Sequence, residues 1–253
     1  INRMGFPGLG IEPFLKNLMR FKSKHPKAIV GANIGINKDT PTPVEDYKAC
    51  FLRLALVADY ITVNVSSPNT AGLRQLQEKE SLNALFAALM QARSSLNKKT
   101  PLLLKVAPDL TPDQCRDIAT AVLHHNIDGL IVSNTTVMRP PALAEKFQDE
   151  KGGLSGQLLT SLSTDRIRDF YTLTGGRVPI IGVGGIGSAE DAYAKIKAGA
   201  TLLQLYTGLV FQGPDIIPRI LEGLARLLAQ DGYARIADAV GRDSGQSPLK
   251  AVV

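Results

Sequence analysis

Six short runs of apolar and β-branched residues, at 28–34, 60–65, 102–106, 129–133, 178–183 and 202–206, recur along the chain, and each ends in a small or polar residue. Runs of this kind suit strands buried on both faces, as in a parallel sheet covered by helices. Between and after them, at 44–58, 82–96, 112–125, 164–172, 189–198 and 214–229, apolar residues recur at helical spacing. Ser81, Thr111 before Pro112, and Ser188 before Glu190 and Asp191 are candidate N-caps, and Gly199 and Gly232 are candidate stops. Alternating strands and helices joined by right-handed crossovers leave two architectures, a doubly wound open sheet and a (β/α)8 barrel.

The polar strand ends choose between them. An open sheet concentrates function at one switch point, whereas a barrel collects it from the C-terminal ends of most strands. Here every run closes on such residues: Asn33; Asn64; Lys105; Ser133, Asn134 and Thr135; Gly184 and Gly185; Tyr206 and Thr207. The expectation is an α/β fold, a (β/α)8 TIM barrel with its site on that rim, of which about six β/α units lie in this chain. Residues 1–10 read as a loop entering a helix, so two strands are expected before residue 1, and the first residue, Ile1, fits a trimmed start. Residues 1–230 are expected to form the barrel domain and 231–253 a C-terminal tail.

Composition narrows the class of partner. The 253 residues are 44% hydrophobic and 21% charged, the profile of a soluble globular chain. The net charge of +6 is spread among acids without a run of Lys or Arg, and aromatic residues are 6% with no tryptophan, which argues against nucleic acid. A basic balance of this kind suits an anionic small molecule or membrane surface. The apolar runs fall far short of the ~20 residues of a membrane span. Two cysteines, Cys50 and Cys115, make no disulfide framework and indicate a reduced, intracellular setting. Neither they nor His25, His124 and His125, in or beside helices, show metal-ligand spacing, so no metal is expected.

Residues 64–74 carry the amides of Asn64 and Asn69, the hydroxyls of Ser66, Ser67 and Thr70, and the guanidinium of Arg74. Such a loop can hold a planar, polar, anionic ring, with Pro68 reducing the entropy lost on binding, although the same residues are common in turns. The segment 178–187, VPIIGVGGIG, precedes the Ser188 helix start and offers backbone N–H groups to a phosphate, with Tyr206, Thr207 and Gly208 adding the next strand's share; a tight turn is the alternative. Lys105 interrupts an apolar strand, so its ammonium either forms a Schiff base, balances an anionic cofactor or snorkels to water. Gly152, Gly153 and Gly156 permit close backbone approach to a ligand. With no rim histidine or cysteine, a proton must pass to Ser66, Ser67, Lys105 or a carboxylate.

Together, the segments 1–6 (INRMGF), 31–35 (GANIG), 63–74 (VNVSSPNTAGLR), 105–108 (KVAP), 133–136 (SNTT), 152–156 (GGLSG), 183–185 (VGG) and 204–207 (QLYT) resemble dihydroorotate dehydrogenase in order and spacing up to about residue 230. The resemblance implies an FMN-containing barrel that oxidises dihydroorotate to orotate in de novo pyrimidine (UMP) biosynthesis. Serine at position 67, where the cytosolic class carries cysteine, implies the quinone-dependent class. Ser67 would take the C5 proton while a hydride leaves C6 for the flavin, which a membrane quinone reoxidises. By resemblance, Asn2, Arg3, Met4, Gly5, Phe6, Asn64, Asn69, Asn134 and Thr135 bind substrate. Asn33, Asn64, Lys105, Ser133, Gly156, Gly185, Tyr206 and Thr207 bind FMN. The family begins with a membrane-binding helical segment that forms the quinone tunnel. This implies peripheral attachment to a bacterial inner membrane, on its cytoplasmic side, or to the mitochondrial inner membrane, through a segment outside this sequence. Two further readings stay open: a noncatalytic flavin-binding barrel, and a Schiff-base lyase with Lys105 as nucleophile.

Overall fold

The computed structural model describes residues 1–5, 7–37, 40–70, 72–246 and 249. Its strands are β1 (Gly31–Ile34), β2 (Tyr60–Asn64), β3 (Leu102–Val106), β4 (Gly129–Val132), β5 (Ile180–Val183) and β6 (Leu202–Gln204). All pair in parallel with their sequence neighbours, in the order β1 to β6. A doubly wound sheet would reverse its strand order partway, and this one does not. The helices are α1 (Ile11–Lys24), α2 (Pro43–Leu54), α3 (Lys79–Ser94), α4 (Pro112–His124), α5 (Thr160–Thr174), α6 (Ala189–Ala198), α7 (Thr207–Gln212), α8 (Ile216–Gln230) and α9 (Ile236–Ala239). From α2 to α6 each packs against the next, and α6 packs against α8, forming an outer layer.

The strand register sorts the side chains. Along β3, Leu102, Leu104 and Val106 are fully buried, while Leu103 and Lys105 alternate onto the opposite face. Lys105 stands level with Asn64 of β2 and Ile131 of β4, which brings polar strand ends into one row. In a flat sheet β1 and β6 would lie roughly 24 Å apart at ordinary strand spacing. Asn33 of β1 and the residues following β6 nevertheless line one cavity, so the sheet is curled.

Local chemistry accounts for the element ends. Thr111 caps α4 in a reciprocal box with Gln114, with Pro112 in the first turn, and the Ser188 hydroxyl accepts the Asp191 N–H at the start of α6. Gly199 closes α6 at φ +129°, and Gly232 follows the end of α8. Ser81 is no cap, because α3 already begins at Lys79 after Glu78. The first strand starts at Gly31 instead of 28, since the Asp59 carboxylate takes the Val30 N–H at 2.7 Å and also binds Lys22 at 2.8 Å. Residues 233–246 lie against α5 and α6, where Gly241 N–H donates to the Ile196 carbonyl and Arg168 Nε donates to that of Asp243. Cys50 and Cys115 are free thiols. His25 and His124 are exposed, and His125 is half-buried against Asn83 at 2.9 Å. Among the described residues no helix is long and apolar enough to cross a membrane.

Candidate active site

The ends of all six strands and the loops beyond them open onto one cavity of about 310 Å³. Asn33, Asn64 and Lys105 enter it from β1, β2 and β3; Ser133, Asn134 and Thr135 follow β4; Gly184 and Gly185 follow β5; Tyr206 and Thr207 follow β6. Ser67 and Asn69 come from the loop after β2, Ser155 and Gly156 from the loop before α5, and Asn2 and Gly5 from the N-terminal segment. Among these lining residues only Lys105 and Tyr206 are ionisable, with no carboxylate, imidazole or thiol on the wall. Arg3 turns outward, to the Glu150 carboxylate and the Lys151 carbonyl. Met4 is 58% exposed and does not line the cavity. Phe6 lies outside the described residues.

One wall is a network of amides and hydroxyls. Asn64 Oδ1 accepts from the Ser66 N–H, the Ser66 hydroxyl and Asn134 Nδ2 at 3.1–3.3 Å. Asn134 Nδ2 also donates to Ser66 Oγ at 3.0 Å, and Asn134 Oδ1 accepts the Thr135 N–H at 2.8 Å. Ser66 is therefore consumed inside the wall, whereas Ser67 faces the cavity and its Oγ accepts the Asn69 N–H at 3.2 Å. Asn69 Nδ2 reaches the carbonyl and the side-chain oxygen of Asn2, both at 3.3 Å.

Arg74 does not grip a ligand. Its guanidinium ties the loop down, donating to the Ser66 carbonyl at 3.1 Å, the Asp109 carboxylate at 2.8 Å and the Thr135 carbonyl at 3.0 Å. The glycine loop also differs in part from expectation. A Cβ on Gly153 would sit 2.0 Å from Thr135 Oγ1, and the Gly153 backbone exchanges both hydrogen bonds with Asn2. Gly152 and Gly153 thus allow close approach of the protein's own N-terminal segment, and only Gly156 of the three lines the cavity.

A second part of the lining is built for an anion. Gly184 and Gly185 adopt φ +120° and +76°, and a Cβ on Gly185 would lie 2.1 Å from Thr160 Oγ1, so this turn requires glycine. The backbone N–H groups of Gly184, Gly185 and Ile186 have no protein partner among the described residues. Lys105 likewise has no ion pair or hydrogen bond there, and burial pushes its ammonium below the ordinary lysine range. An unpaired cation and free N–H groups facing one cavity are a receptor for an anionic, electron-rich ligand.

A family model described as dihydroorotate dehydrogenase matches residues 1–228. The chain belongs to the dihydroorotate dehydrogenase family. The dihydroorotate dehydrogenase (quinone) of Xanthobacter autotrophicus is 49% identical over 247 residues, which cover 96% of this chain and 69% of that one. That of Parvibaculum lavamentivorans is 50% identical over 243 residues, covering 96% and 68%. The crystal structure of Eimeria tenella DHODH with ferulenol matches with a TM-score of 0.92 at 36% identity, covering 96% of this chain and 71% of that chain. The ligand-free Eimeria tenella structure also matches at 0.92. Six β/α units of a TIM barrel are the architecture, and the dihydroorotate dehydrogenase family is one of oxidoreductases, which removes the lyase reading of Lys105.

Among the apolar lining residues, Leu159 was not legible as a site residue, because it lies outside every segment that the sequence marks; Ile186 and Leu205 lie inside the 178–187 and 204–207 segments but were not singled out within them.

Proposed function

We propose that the protein oxidises dihydroorotate to orotate in de novo pyrimidine biosynthesis, with FMN as resident flavin, Ser67 as the base and a quinone as final acceptor. The observation that carries this reading is the placement of Ser67. It is the buried hydroxyl of the 64–74 loop that faces a cavity whose wall holds no carboxylate, imidazole or thiol.

The residues present fit FMN. The glycine turn offers free N–H groups where a side chain would clash, and Lys105 brings an unpaired positive charge. Gly156, Gly185, Tyr206 and Thr207 would hold the phosphate end, and Asn33, Asn64, Lys105 and Ser133 the ring end. When bound, the flavin supplies the two-electron acceptor that takes a hydride from C6 of dihydroorotate and is reoxidised by the quinone. Asn2, Asn64, Asn69, Asn134 and Thr135 present amide, hydroxyl and backbone groups to a planar substrate, with Gly5 beside them. Ser67 Oγ takes the C5 proton while its own hydroxyl proton passes to water in the cavity, and the Asn69 N–H on that oxygen stabilises the alkoxide character it acquires as that proton leaves. Lys105 stabilises negative charge on an electron-rich ring beside it. Quinones reside in membranes, which supports peripheral attachment to a bacterial inner membrane or the mitochondrial inner membrane.

The test is anaerobic mixing of the flavin-loaded protein with dihydroorotate while flavin absorbance is followed. The flavin is expected to bleach, and Ser67→Ala to slow bleaching by ~10²–10⁴-fold. A bound flavin that stays oxidised would leave the noncatalytic flavin-binding reading.

A further inference from the structure

Behind the glycine turn, within the helical layer, lies a lysine that the reading above does not use. Lys195 of α6 has no exposed surface, and its Nζ reaches three oxygens at the start of α5: Ser163 Oγ at 2.6 Å, Thr164 Oγ1 at 2.9 Å and the Thr160 carbonyl at 3.3 Å. Three acceptors match the three N–H groups of an ammonium. An apolar chain of similar length would fill this space at lower desolvation cost, so packing alone does not account for an amine here. Burial pulls its pKa down to about 7, opposed by the carboxylates of Asp191 and Asp165.

The consequence is directional. With Nζ donating to Ser163 Oγ, the serine proton must go to a carbonyl, and Gly184 O lies 2.9 Å away. The other candidate, Thr160 O at 3.0 Å, already takes the Thr164 hydroxyl and Lys195. In parallel, Thr160 Oγ1 donates to Gly185 O at 2.8 Å. C=O and N–H point in opposite directions across a trans peptide. Anchoring these two carbonyls toward α5 therefore turns the N–H groups of Gly185 and Ile186 toward the cavity that both residues line.

We propose that Lys195 is a positioning residue for anion binding: through Ser163 it holds the Gly184–Gly185 peptide with its N–H facing the cavity, and so makes the site select a phosphorylated flavin over its dephosphorylated form. The inference rests on the reading that a flavin phosphate lies on this turn. The test is a titration of the apoprotein with FMN and with riboflavin, followed by quenching of flavin fluorescence at about pH 6.5, where the ammonium predominates. The wild type is expected to bind FMN more tightly than riboflavin. Lys195→Met is expected to weaken FMN at least tenfold while riboflavin changes less than twofold. Ser163→Ala removes one oxygen and is expected to give the same selective loss, so it carries the test if Lys195→Met does not fold. Equal losses for both flavins would make Lys195 a packing residue and overturn the proposal, as would an FMN preference intact in both variants. A wild type without FMN preference would overturn the phosphate reading and this inference together, and that outcome is visible before any variant is made.

Discussion

Replacing Arg74 with lysine separates two roles for a cation beside the cavity. The guanidinium spans three acceptors at once, the carbonyls of Ser66 and Thr135 and the carboxylate of Asp109. A lysine keeps the charge but reaches one of them as a point donor. Two bonds from a charged group to half-buried acceptors are lost, each worth about 1.5 kcal/mol at the low end, for about 3 kcal/mol in all. In a domain of this size that lowers Tm by ~6–12 °C. Since Arg74 anchors the residue before Ser67, the rate of flavin bleaching by saturating dihydroorotate should also fall, by tenfold or more. The assays are differential scanning fluorimetry of the apoprotein and stopped-flow absorbance of the loaded protein. If Arg74 instead gripped the substrate carboxylate, Arg74→Lys would leave Tm unchanged and raise only the dihydroorotate concentration at half-saturation. That pattern would refute the clamp.

Two other perturbations follow from charges described above. Lys105→Met removes an unpaired, half-buried ammonium, so the apoprotein should gain stability on the order of 1 kcal/mol while FMN binds at least tenfold more weakly, measured by urea unfolding and flavin titration. A loss of apoprotein stability would show that Lys105 has a partner within the protein. Asp59 has its pKa held below the ordinary aspartate range by hydrogen bonds from Lys22 and the Val30 N–H. Its contribution is therefore complete above the pKa of an aspartate in the unfolded chain and lost as pH falls through the lower folded pKa. The gap in urea midpoint between wild type and Asp59→Asn should be constant from about pH 7 to 5 and close below about pH 4. A gap that persists in acid would place the stabilisation in packing and not in charge.

What the amino-acid pattern revealed was whatever depends on local periodicity. Asn33, Asn64 and Lys105 end apolar runs, and a strand buried on both faces can place a polar residue in quantity only at its mouth, so the rim was legible. The direction of a long side chain was not. Arg74 lies in a short 3-10 turn (Leu73–Gln77), and its carboxylate partner, Asp109, follows a different strand, so nothing in the 64–74 loop shows that the guanidinium turns away from the cavity. Gly152 shows the same limit, because a glycine that admits a ligand and one that admits a neighbouring backbone look alike in sequence. Lys195 sits in a helix, Ala189–Ala198, that carries Lys197 two positions later with part of its surface exposed. Only the packing of α6 on α5 distinguishes the buried lysine from its solvated neighbour.

The amide wall has a consequence for discrimination among ligands. Asn134 has both ends committed, its nitrogen to Asn64 and Ser66 and its oxygen to the Thr135 N–H, so a flip of its amide would set donor against donor. Asn64 has its oxygen saturated by the same neighbours, which leaves its Nδ2 hydrogens as the end free to meet a guest. The polarity of this wall is thus decided before anything binds. An isostere with the correct outline but with a ring carbonyl exchanged for an amino group would set N–H against N–H, and such a mismatch in a buried site is rejected far more strongly than a missing methyl group.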